Sequence, residues 1–136
     1  MSYKAFEKII KEIKTVQESE ALIATVILTF VSIDTMAYLS MPSNKTKNSS
    51  QDFINWVKKY MQTDEDQSYQ YDPHEMWAAR CGKLHSYSSY SSIAAKNGYK
   101  LYGYHDGSEH IYNPQQSTGL VLISIPRLVN DFIKAV

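Results

Sequence analysis

Arg80, His85 and Tyr87 lie close together in the segment WAARCGKLHSYSSY, residues 77–90, in the pattern R-x4-H-x-Y. The chain has only two arginines, Arg80 and Arg127, so most of its positive charge is lysine. A guanidinium suits forked capture of a phosphate. An imidazole gives or takes a proton near neutral pH. Together they are what cleavage of a phosphodiester by a ribose 2′-hydroxyl needs: one group to move a proton, and one fixed cation facing the charge that develops on phosphorus. On a regular helix, positions 80 and 85 lie about 140° apart. The two groups meet if Gly82 loosens the turn, if the helix ends before His85, or if one chain's Arg80 serves another chain's His85 across a two-fold axis. A plain alternative is a surface arginine and a partly buried histidine at a helix terminus.

Asp34 sits in the most apolar stretch of the chain. Burying a carboxylate there costs several kcal/mol unless it is paired. Either it serves a site, bridging Arg80 to aim the guanidinium at a cleft or lining the cleft itself, or it bonds to a neighbouring backbone group or hydroxyl or faces solvent at a groove. Cys81 and His85 are four residues apart, but a structural zinc site draws on close ligand pairs and only one thiol exists. Cys81 as a nucleophile with His85 as base would lack a third, orienting group. No phosphate-binding glycine loop, dinucleotide fingerprint or G-x-S-x-G is present, so no metal and no cofactor are expected. Tyr87, Tyr90, Tyr99, Tyr102, Tyr104 and Tyr112 are available to pack a hairpin against helices or to stack RNA bases.

The elements that must position these residues follow from periodicity. Phe6, Ile9, Ile10, Ile13 and Val16 step by three or four, predicting a first helix over about 3–17. Ser19 reads as the N-cap of a second helix, whose apolar residues from Leu22 to Ala37 cover most of its circumference; it stops before Pro42. Residues 43–50 read as an exposed loop, with Ser50 capping a third helix over about 51–61. After an acidic loop at 63–67, Asp72 and Pro73 predict an N-cap and first-turn proline for a fourth helix running at least to Leu84. Residues 99–104 and 110–112 flank His105-Asp106-Gly107-Ser108, which predicts a β-hairpin. Residues 120–125 suit a third strand or a helix start, and 127–135 a last helix. The expectation is one all-α domain over 1–136, a bundle of four to five helices with a small C-terminal β-hairpin.

At 136 residues, with 43% hydrophobic and 21% charged side chains, one domain can bury a proper core. The composition excludes disordered and collagen-like classes. Fourteen basic residues balance fourteen acidic ones, so a nucleic-acid role must come from a local site. The charged opening, with Lys4, Lys8 and Lys11, lacks the apolar core of a secretory signal, and the lone Cys81 fits a reducing compartment, so a cytoplasmic location is expected. Residues 22–41 are long enough to span a membrane, yet Asp34 and several hydroxyls lie within them; they predict the central helix of a bundle.

With helix count, length and motif assembled, the chain resembles the HEPN superfamily through R-x4-H on a late helix. The added tyrosine at H-x-Y resembles HEPN toxins paired with a minimal nucleotidyltransferase antitoxin. The resemblance implies a metal-independent endoribonuclease of toxin or defence type. It would be active as a homodimer, with Arg80 and His85 of both chains in one cleft. It further implies that Tyr87 is the tyrosine an antitoxin partner modifies with adenylate. Some members are non-catalytic modules that dimerise and recognise a protein or nucleotide, which is the alternative reading. The residue after the arginine, usually Asn or Asp, is Cys81 here.

Overall fold

A computed structural model describes residues 3–40, 50–64, 69–86, 92–112 and 119–136. The fold is mostly helical, with a two-stranded parallel sheet toward the C-terminal side. Helix α1 spans Tyr3–Glu18, α2 Leu22–Leu39, α3 Ser50–Trp56, α4 Pro73–Ser86, α5 Ser92–Asn97 and α6 Ile125–Ala135. Strand β1 is Leu101–His105 and β2 is Leu120–Ser124. A π-helical turn, Val57–Met61, continues α3 to the expected end at Met61.

Helix α1 buries the stripe containing Ile13 and leaves its lysines in water. It ends where Glu20 takes a left-handed backbone (φ 64°). Ser19 belongs to that ending, donating its hydroxyl to the Val16 carbonyl at 2.7 Å; it does not cap α2, whose N-cap position is Ala21. Helix α2 is the core helix. Val26, Phe30, Ile33, Met36 and Ala37 are buried, and so are Thr25, Thr29 and Ser32. Each of those three hydroxyls donates to a carbonyl one turn back, at 2.7–2.8 Å, so none is stranded in the apolar interior. The helix is long and apolar enough to cross a membrane by length and composition, with 44% of it buried inside the fold.

Helix α4 starts as its sequence demands: the Asp72 carboxylate accepts the backbone N–H groups of His74 and Glu75 at 2.8 and 3.2 Å. Helix α5 was not expected, although Ala95 and Lys96 favour helix and Gly98, at φ 68°, is suited to end one. Of the loops expected at 43–50 and 63–67, residues 43–49 and 65–67 lie outside the described residues, and Ser50 is the first residue of α3 rather than its cap.

The hairpin expectation is corrected by the sheet. Strand β1 pairs in parallel with β2, from Leu101 opposite Leu120 to His105 opposite Ser124. The connection between them is long enough for a crossover, which takes about a dozen residues or more. Beyond the Asp-Gly turn, Ile111 bonds instead to Leu122 on the other edge of β2, antiparallel. Tertiary bonds override the local turn signal: Ser124 Oγ donates to the Gly107 carbonyl, and His110 Nδ1 accepts the Ser124 N–H at 3.0 Å. Pairing with β2 also buries Val121 and Ile123 completely. Ser124 accepts the Arg127 N–H as N-cap of α6, which packs Leu128, Val129 and Phe132 into the core.

His110 makes this corner acid-sensitive. It is 6% exposed, stands edge-on to the Tyr71 ring, and is lowered from 6.5 to about 4 by burial, then by Arg127 and His105. A histidine depressed in the fold stabilises it fully above its unfolded pKa, and that contribution drains away as pH falls toward the folded value. Stability should therefore drop by about 2 kcal/mol between pH 7 and pH 5. Urea titrations at both pH values measure this, and His110→Gln should flatten the difference; an equal drop in that variant would assign it to other groups.

Candidate active site

Arg80 lies on α4 with its side chain 20% exposed, and Asp34 faces it from α2 at 19%. Nε of the guanidinium donates to Asp34 Oδ2 at 2.8 Å, and Nη2 forms an ion pair with the same oxygen at 2.7 Å. Of the two roles considered for Asp34, this is the bridge to Arg80. The guanidinium also lies over the Trp77 ring, 4.6 Å from its centroid, and Nη1 reaches the Cys81 sulfur at 3.8 Å. Trp77 is in turn held edge-on by Phe53 of α3, 5.3 Å between centroids. Three contacts thus fix one planar cation. A guanidinium carries five N–H groups; with three engaged, two have no partner among the described residues.

Arg80 lines a surface cleft of about 490 Å³ together with Asp34, Trp77, Val31, Thr35, Tyr38 and Ser50. The local reason is helix spacing. Trp77 precedes Arg80 by three residues and Tyr38 follows Asp34 by four, so each shares a helix face with its neighbour. Sequence reasoning missed Trp77 and Tyr38, and those two spacings were the signal that could have found them.

His85 is carried by the same helix, whose backbone is regular from Pro73 through Ser86. Gly82 does not break it, and the helix does not end before His85. Positions 80 and 85 are therefore about 140° apart around one axis. The side chain of His85, and the whole of Tyr87, lie outside the described residues. The structure brings Asp34, Arg80 and Trp77 together and sets the backbone positions of Arg80 and His85 on different sides of α4.

Other clusters offer less chemistry. Among the described residues no three His, Cys, Asp or Glu side chains stand together in a way that would hold a metal ion. Tyr102 is buried; its hydroxyl donates to Glu75 and accepts the Asp72 N–H, and burial raises its pKa. Tyr104 packs edge-on to Phe30 beneath the Lys83 ammonium. Both are packing residues rather than exposed stacking platforms. A larger groove, about 710 Å³, follows α1 past Lys4, Lys8 and Lys11 with Glu7 and Glu12. Among the described residues it shares none with the Arg80 cleft and includes no histidine. No family model matches the chain, and neither a curated protein nor a solved structure is similar to it.

Proposed function

We propose that this chain is a HEPN-like, metal-independent endoribonuclease of toxin or defence type, acting in the cytoplasm as a homodimer whose cleft joins Arg80 of one chain with His85 of the other. The observation that carries the reading is the Arg80 guanidinium, held by Asp34 and Trp77 in a residue that lines an open cleft. Such a group is preorganised to receive charge on a phosphoryl oxygen without reorganising. Histidine 85 moves the proton of the 2′-hydroxyl or of the leaving oxygen. The helical geometry supports the dimeric form, because one straight helix keeps positions 80 and 85 on different sides. In the toxin subfamily, Tyr87 would be the residue an antitoxin partner adenylylates.

A second reading, a non-catalytic HEPN-like dimeric module that binds a protein or nucleotide, is favoured by the same pair: the Asp34 carboxylate offsets the charge of Arg80 and weakens its pull on a phosphate backbone. Both readings are dimeric, and they part on activity. Light scattering at micromolar concentration should return twice the 15.6 kDa chain mass. A monomer at high concentration would remove the shared cleft and, with it, both HEPN-like readings.

A further inference from the structure

The cleft holding Arg80 has an aromatic wall that folding does not account for. Tyr38 is 52% exposed and belongs neither to the core nor to the side chains packed against it among the described residues. It stands one turn beyond Asp34 and lines the cleft with Trp77, Val31, Thr35 and Ser50. The cleft falls within the ~300–1,000 Å³ of small-ligand sites. It therefore pairs a flat, wet aromatic ring with an immobilised guanidinium that has N–H groups to offer. That is the pairing a nucleotide presents in reverse, a flat base joined to a phosphate.

We propose that Tyr38 is a stacking platform for one unpaired base, so that this site takes single-stranded RNA and rejects duplex. The inference rests on the RNA reading above and specifies its substrate. A base in a duplex is covered on both faces by its neighbours and cannot lie on Tyr38. An unpaired base can, while its phosphate meets the remaining N–H groups of Arg80. The Asp34–Arg80 pair has no net charge, so stacking, rather than long-range attraction, supplies much of the affinity, and the salt dependence is shallow.

The test uses a labelled, short, mixed-sequence oligonucleotide with 2′-O-methyl sugars, which cannot be cut, free or annealed to its complement. Wild-type protein should bind the single strand and quench Trp77 fluorescence; Trp56 is buried (5% exposed) and Trp77→Phe should abolish the quench. Tyr38→Ala should weaken single-strand binding about tenfold, with Tyr38→Phe near wild type and the weaker duplex binding unchanged. Single-strand affinity unchanged in Tyr38→Ala, while Arg80→Ala loses it, would overturn the platform and leave the RNA reading standing. A Tyr38→Ala protein that falls from dimer to monomer would assign the ring to a protein interface and overturn the platform too. Wild-type protein that binds neither strand overturns both readings.

Discussion

Asp34→Ala is expected to lower the unfolding free energy by about 3 kcal/mol, between the 0–1 kcal/mol of an exposed ion pair and the cost of breaking a fully buried one. The pair is four-fifths covered, and both bonds from Arg80 converge on one carboxylate oxygen. Removing the carboxylate strands a guanidinium between Trp77 and α2, which costs more than the pair itself contributed. Melting temperature should fall by on the order of 10 °C for a domain of this size. Asp34→Ala combined with Arg80→Met should recover most of the loss, because the guanidinium is then no longer stranded without its carboxylate. Thermal unfolding of the two variants beside wild type checks this. Unchanged melting in Asp34→Ala would mean that Asp34 does not hold Arg80.

The second large effect is on RNA cleavage. His85→Ala should slow it on the order of a hundredfold or more, the usual worth of a positioned acid–base group. Arg80→Ala should lose a comparable factor, by removing the cation that faces the developing charge. Arg80→Lys should rescue little, since an ammonium can neither fork onto Asp34 Oδ2 nor lie flat on Trp77. Single-turnover rates on one labelled RNA measure all three. Retention of wild-type rate by Arg80→Lys would show that charge alone, not the held plane, matters.

The helices were legible wherever their signals were local. The three-and-four spacing from Phe6 to Val16, the Asp72-Pro73 start of α4 and the apolar residues of α2 each report on a few neighbouring residues. The sheet was not, because its partners are far apart in sequence: Asp106-Gly107 announces a hairpin, and only Ser124 and His110, bonded across the loop, divert the chain into a parallel pair. Ser19 misled for a different reason: one local hydroxyl can serve the end of one helix or the start of the next. Its hydroxyl serves the end of α1, a choice set by the left-handed backbone of Glu20. At the site, the bridge from Asp34 to Arg80 was foreseeable as one of two options because a carboxylate in an apolar helix needs a partner. Trp77 and Tyr38 went unremarked because aromatic residues at helical spacing read first as core.

The account stands most directly on one side-by-side measurement: purified wild-type protein and His85→Ala incubated with mixed RNA in EDTA, with the ends of the products identified. Wild type should yield fragments with a 2′,3′-cyclic phosphate and a free 5′-hydroxyl, as attack by the neighbouring 2′-hydroxyl requires, at a rate the chelator does not alter. The variant should be slower by on the order of a hundredfold. Equal cleavage by both proteins, or none by either across several RNA classes, would contradict it.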